Sequence, residues 1–206
     1  MLKKIAACMM VMAIAVAFMP TSAFAASKSA KMTAYNQVFV SGSYAYCAGA
    51  GGIYKVKLKK GKKESVQRLY DSECAFGPSA AVEAMKKKSG YIYFRSASQG
   101  TCAYLSRVKC SGGDVKDLGI TGYAADYAIE GNKIYFYKYT DDDDVVKRVM
   151  KLNGKNKKKT SVKPVTNERD SNKSGYRIVI KKKGHYVKDY LKTPEGTFYL
   201  GKVEMW

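Results

Sequence analysis

The chain has 206 residues, 37 basic and 17 acidic, for a formal charge of +20. Lysine supplies the excess, since arginine occurs only at 68, 95, 107, 148, 169 and 177, and the chain carries 17 tyrosines and 18 glycines. Frequent Val/Ile pairs and the lack of sustained helical periodicity after residue 30 exclude a helical bundle and favour strands. A chain this basic stays soluble and is drawn to anionic surfaces, with an attraction that salt weakens.

At the start, Lys3-Lys4, an apolar run over residues 5–19, the Pro20-Thr21 break and the small-x-small Ala23-Phe24-Ala25 have the layout of a secretory signal peptide. Cleavage after Ala25 is expected. The run is shorter than the roughly 20 residues that span a bilayer, so no transmembrane anchor is expected. Ile5-Ala6-Ala7-Cys8 has the residue types of a lipoprotein box, but the apolar core follows Cys8 rather than preceding it, and lipidation is rejected. Residues 26–206 then form one domain with 35 basic and 17 acidic side chains, a formal +18.

Lining the chain up with itself exposes a repeat. A basic residue followed by Val, with Gly six positions after the basic residue, occurs at Lys55-Val56, Arg107-Val108 and Arg148-Val149, and Lys202-Val203 begins a fourth instance. A short strand precedes each: Val38-Phe39-Val40, Ile92-Tyr93-Phe94, Ile134-Tyr135-Phe136 and Tyr186-Val187. Asn36, Gly90, Asn132 and Gly184 stand two places before these. Each unit fills in as four strands, with strand A the "IYF" stretch and strand B carrying the basic-Val mark. Strand C follows a glycine turn, and strand D is assigned to Ala80 to Met85, Tyr123 to Ile129 and Tyr176 to Ile180. Ala30 to Tyr35 reads as a D-like strand before the first A. Asn153-Gly154 and Gly112-Gly113 read as hairpin-type turns. Units of roughly 30–85, 86–130, 131–181 and 182–206 follow, a period that fits β-propeller blades.

The stretch "NKIYFYKYTDDDDVVKRVMKLNGKNKKKT", residues 132–160, resembles one repeat of the secreted bacterial propellers related to the YWTD and TolB types. Tyr139-Thr140-Asp141 echoes the YWTD core without its tryptophan, and Asn153-Gly154 stands where Asp-Gly is usual. The resemblance covers roughly residues 35–190 and implies a fold, with no catalytic residues carried over. The expected architecture is all-β: a propeller-like array of four-stranded antiparallel blades, about three and a half units. A twisted β-sandwich or barrel is the alternative. An array left open would expose strand edges.

In an up-and-down array the B–C and D–A connections share one end. Lys59, Lys60, Lys62 and Lys63 flank the first B–C turn, and Lys155, Lys157, Lys158 and Lys159 the third. Lys86, Lys87 and Lys88, and Lys181, Lys182 and Lys183, fall on D–A connections. All four clusters are therefore expected at one end as a patchy basic face, with Asp71, Glu73, Asp141 to Asp144 and Glu195 at the other. Ammonium clusters without arginine forks suit diffuse attraction to phosphate- or carboxylate-rich polymers. The same lysines also suit exposed turns and blunted strand edges. Nucleic acid is disfavoured as the partner. Asp141 to Asp144 lack a spaced calcium-loop pattern and read as a solvated loop, and no metal or cofactor is expected.

Cys47, Cys74, Cys102 and Cys110 are an even count for an oxidising compartment. On one extended strand Cys102 and Cys110 would be up to about 26 Å apart at roughly 3.3 Å per residue, so one disulfide among Cys47, Cys74 and Cys102 is expected, with Cys47–Cys74 the first choice and Cys110 unpaired. Sequential pairing, 47–74 with 102–110, is the rival. His185 is the sole histidine and reads as the start of a strand. Phosphate-loop, nucleophile-elbow and metalloprotease patterns are lacking. Glu64, Asp71, Glu73, Glu83 and Asp126 offer no distinctive pairing for glycan hydrolysis. The reading is an exported, non-catalytic module that binds an anionic envelope or extracellular polymer. The alternatives are a structural protein, associating with itself or a protein partner through strand edges, and a small envelope hydrolase.

Overall fold

The computed structural model describes residues 28–75, 77–97, 103–122, 126–139, 144–167 and 172–206, and every regular element among them is a β-strand. The expected signal peptide, Cys8, Cys102 and Asp141 to Asp143 lie outside the described residues. Among those residues no helix is long and apolar enough to cross a membrane.

Strand β1 (Ser29–Thr33) precedes sheet I, made of β2 (Val38–Ser41), β3 (Tyr44–Gly49), β4 (Gly52–Lys59) and β5 (Lys62–Asp71). After the short β6 (Cys74–Ala75) comes sheet II: β7 (Val82–Lys88), β8 (Tyr91–Ala97), β9 (Ala103–Lys109) and β10 (Lys116–Gly122). Sheet III holds β11 (Tyr127–Glu130), β12 (Lys133–Tyr139), β13 (Val145–Lys151) and β14 (Lys158–Lys159). Then β15 (Lys163–Asn167) leads to sheet IV: β16 (Arg177–Lys183), β17 (Tyr186–Thr193) and β18 (Gly196–Met205). Consecutive strands within each sheet are antiparallel neighbours.

Two pairings reach across the chain. The fourth strand of sheet IV is β6, parallel to β18 through Glu204↔Cys74 and Met205↔Ala75. β1 runs parallel to β15, from Ser29↔Lys163 to Thr33↔Asn167. The last sheet is therefore complete rather than cut off after two strands, and residues 29–33 pair with β15 rather than opening the first sheet. The sheets are also displaced by one strand from the units expected: each strand assigned as D bonds to the A, B and C strands that follow it. Asn153-Gly154 and Gly112-Gly113 lie in longer connections. The two-residue turns with both φ positive, as a type I′ hairpin requires, are Lys60-Gly61 (50° and 79°) and Ser89-Gly90 (50° and 76°).

Period-2 alternation stacks the sheets in the order III, II, I, IV. In sheet I, Phe39, Tyr46, Ala48 and Ile53 meet Val82, Ile92, Phe94 and Val108 of sheet II. Their neighbours Val38, Ala45, Cys47, Tyr54 and Val56 turn the other way, onto Ile178, Leu191 and Leu200 of sheet IV. Tyr93 and Leu105 of sheet II meet Tyr127, Ile134 and Phe136 of sheet III, with Ala30 and Met32 of β1 closing that layer. The unbroken Ile92-Tyr93-Phe94 run is what a strand buried on both faces needs. Among the described residues no apolar cluster joins sheet III to sheet IV, and the sheets are not closed into a ring or barrel.

Cys47 is a fully buried free thiol, so the expected Cys47–Cys74 bridge is not made in this structure. Alternation turns Cys47 into the I–IV layer, whereas the backbone of Cys74 lies on the outer edge of sheet IV. Cys110 is also free and half-buried. The sequential 102–110 alternative is therefore not made either.

The buried tyrosines predict alkaline lability. Burial, then the neighbouring Cys110 thiol, pushes Tyr46 from 10.0 up to about 12. Burial likewise raises Tyr54, Tyr70 and Tyr93, and the Cys47 thiol from its ordinary 9.0. Such groups keep their protons folded and release them unfolded, so their stabilisation is intact below their ordinary values and is lost as pH rises through the folded ones. Lys86, lowered by burial and by Lys88, acts in the opposite sense as a single group. The urea midpoint is expected to fall steadily from about pH 9 to 11, each group contributing at most about 1.4 kcal/mol per pH unit. A flat profile would refute this.

Candidate anion-binding face

The basic-Val marks fall on the third strand of every sheet: β4, β9, β13 and β18. In three sheets the basic residue lies over the tyrosine that opens the second strand. These pairs are Lys55 over Tyr44 at 4.5 Å, Arg107 over Tyr91 at 4.2 Å and Lys202 over Tyr186 at 4.3 Å. Each such cation–π pair is worth about 0.5–1 kcal/mol at exposed sites. Sheet III departs. Its mark is slipped by one residue, so that Val149, not Arg148, stands opposite Tyr135. Its second strand opens with Lys133 instead of a tyrosine.

Sheets I, II and III are co-aligned. Lys87 Nζ donates to Ser41 Oγ at 2.7 Å, joining the β7–β8 end of sheet II to the β2–β3 turn of sheet I. Tyr93 Oη and Arg107 NH1 both donate to Leu152 O at 3.0 Å, joining sheet II to the β13–β14 connection of sheet III. The Lys59–Lys63, Lys86–Lys88 and Lys155–Lys159 clusters therefore share an end. Lys59, Lys60, Lys62, Lys155, Lys157, Lys158 and Lys159 are exposed there. Lys63, Lys86 and Lys87 are tied to the fold, donating to Tyr199 O at 3.1 Å, Thr33 O at 2.9 Å and the Ser41 hydroxyl. Lys88 is half-buried.

Sheet IV runs the other way. The β17–β18 turn abuts the β4–β5 turn, with the Glu195 carboxylate against Gly61 at a distance that leaves no room for a Cβ. Along β5 and β18, Lys63 meets Tyr199, Arg68 NH2 donates to Lys202 O at 3.2 Å, and Cys74 pairs with Glu204. Lys181, Lys182 and Lys183 consequently lie at the opposite end from Lys59–Lys63, and Glu195 lies at the basic end. Both placements differ from the expectation, which assumed one direction for all units. The reversal brings other cations to the basic end. Lys173, Arg177 and Lys192 line a cleft of about 540 Å³ with Tyr176, and Arg177 and Lys192 are directly opposed across β16 and β17. A second cleft of about 410 Å³ opens between sheets II and III.

Four acidic groups are committed to the fold. Asp189 is fully buried. Its carboxylate accepts Ala50 N at 3.0 Å, Gly51 N at 2.8 Å and Tyr54 Oη at 2.8 Å, fastening the β3–β4 turn to sheet IV. Gly49 must lack a side chain because a Cβ would fall 2.4 Å from an Asp189 oxygen. Glu64, Asp71 and Glu83 pair with Lys57, Arg68 and Arg95 at 3.1, 2.8 and 3.2 Å. His185 is exposed on the β16–β17 turn rather than inside a strand. Among the described residues no three His, Cys, Asp or Glu side chains gather as metal ligands would. Comparison with protein-family models finds no match, and comparison with characterised proteins finds none either.

Proposed function

We propose that the protein is an exported, non-catalytic module that attaches to an anionic envelope or extracellular polymer through the lysine-rich end of sheets I, II and III. In this reading the sheets form a propeller-like array left open between sheets III and IV. One observation carries it: three separate lysine clusters, distant in sequence, meet at one end of three co-aligned sheets, with Lys173, Arg177 and Lys192 beside them. Glu195, Asp114 on the β9–β10 connection and Glu130 at the β11–β12 turn interrupt this end with negative charge, so the face is patchy. Concentrated ammonium groups attract polyanions diffusely and respond steeply to salt. The test is binding of the protein to isolated cell envelopes across a sodium chloride series. Attachment at low salt and release within a few hundred millimolar is expected, whereas binding indifferent to salt, or none, sinks the proposal.

A second reading is self-association. Among the described residues sheets III and IV share no apolar cluster, and Tyr199 and Trp206 are 45% and 81% exposed. Mass that rises with concentration in light scattering at high salt would favour it.

A further inference from the structure

Resting on that reading, we infer that the cleft between sheets II and III is a subsite for one phosphate group of the polymer, held between Lys133 and Lys151. These two lysines stand directly opposite one another across β12 and β13. Like charges so placed destabilise a sheet. The equivalent pairs in the other sheets are Tyr44↔Lys57, Tyr91↔Lys109 and Tyr186↔Glu204, a ring against a charged group each time. Lysine opposes lysine elsewhere too, at Lys59↔Lys62 and Lys188↔Lys202, but at this position only sheet III does so, and the pair stands in the wall of a cleft of about 410 Å³ lined by no acidic side chain among the described residues. Glu130, cross-strand from Lys133, accepts the backbone N–H of Lys31 at 3.0 Å. No ion pair among the described residues involves Lys133 or Lys151.

The floor of the cleft explains why the ligand is a phosphate. Arg107 supplies a third positive charge, but its guanidinium is stacked on Tyr91 and its NH1 is spent on Leu152 O. With its Nε buried as well, neither side of its planar fork is fully open to take a carboxylate edge-on. What remains are two ammonium point charges, which need several acceptor oxygens disposed around a centre rather than two in a plane. A tetrahedral phosphate bridging the two lysines meets that need. Ser89, Asn132 and Asn153 at the rim offer neutral partners for hydroxyls on the attached unit, and the volume suits a ligand of that size. The Arg177/Lys192 cleft has a similar cation pair, but Glu195 is near enough to act on Tyr176 in its wall.

The experiment is calorimetric titration with a glycerol phosphate oligomer and a galacturonate oligomer of equal charge, at matched ionic strength. The wild type is compared with Lys133→Gln/Lys151→Gln and with Lys59→Gln/Lys62→Gln. The wild type is expected to favour the phosphate oligomer by about tenfold, and Lys133→Gln/Lys151→Gln to lose that preference. Lys59→Gln/Lys62→Gln should weaken both ligands alike. A single-stranded DNA arm separates the sources, since equal binding there means that any phosphodiester chain is taken. Removing two opposed charges should leave the melting temperature unchanged or higher, so lost preference cannot be ascribed to misfolding. The subsite is overturned if the wild type shows no preference, or if the double variant keeps it while the Lys59/Lys62 variant weakens. If neither oligomer binds the wild type, the polyanion reading falls with it.

Discussion

Replacing Asp189 with alanine destabilises the fold by about 4 kcal/mol, in the lower part of the range when three buried donors each lose a charged acceptor at about 1–3 kcal/mol apiece and the buried charge itself is removed. The three are Ala50 N, Gly51 N and Tyr54 Oη, held at 2.8 to 3.0 Å by a fully buried carboxylate. Asparagine keeps one acceptor oxygen but turns an amide donor toward donors, so Asp189→Asn costs about 2 kcal/mol or more. Asp71→Ala is the contrast. Its partner Arg68 is an ion pair at the surface, and its loss costs about 1 kcal/mol or less. Urea unfolding at neutral pH, read as a lower midpoint at constant slope, measures all three. A second readout is thiol labelling of Cys47, which shares the I–IV layer with Tyr54 and becomes reactive when the clasp opens. A loss below about 1 kcal/mol for Asp189→Ala would mean that apolar packing and the Lys63 and Arg68 contacts suffice to join sheet IV to sheet I.

Changing Lys59, Lys60, Lys155 and Lys157 together to glutamate weakens attachment to an anionic surface by about 10³-fold or more, since each cation near such a surface contributes about 1 kcal/mol. These four are exposed and have no structural role beyond the turns, so the variant folds. The informative control is Lys181→Glu, Lys182→Glu and Lys183→Glu. If all blades ran in one direction this triple variant would lose binding as well. With sheet IV reversed, its lysines face away, and affinity changes by less than about threefold once screening beyond a Debye length is allowed for. Equal losses in the two variants would mean that attachment is governed by net charge rather than by a face.

How much of this was legible in the sequence differs by element. The strand Ile92-Tyr93-Phe94 could be read because burial on both faces leaves an unbroken apolar run, and Ile134-Tyr135-Phe136 because its two buried residues flank a half-buried tyrosine. The basic-Val mark could be seen, but its meaning could not: the tyrosine it covers opens the preceding strand, and only the register brings Tyr91 under Arg107. The grouping of strands into sheets was ambiguous because each strand of a meander bonds on both sides, so a string of them divides into fours at any phase. The direction of sheet IV depends on how the chain returns after β15, which no local pattern records. Asp189 gave no signal, since its partners lie about 140 positions earlier in the chain. Lys133 and Lys151 were visible only as two more lysines among many, until cross-strand pairing set one against the other.

The two parallel pairings, β1 with β15 and β6 with β18, have a consequence for how such a chain can change over time. Repeat arrays ordinarily lengthen or shorten by copying or dropping a unit, because each unit leans only on its neighbours. Here residues 29–33 are bound to 163–167 and residues 74–75 to 204–205. The early segments are laced into the late ones. Inserting or deleting a sheet between residues 75 and 163 would disturb both lacings, and a change at sheet I or sheet IV would disturb one of them, so the lacing constrains the number of sheets. Such a fold can drift in its surface lysines far more freely than it can change its number of sheets.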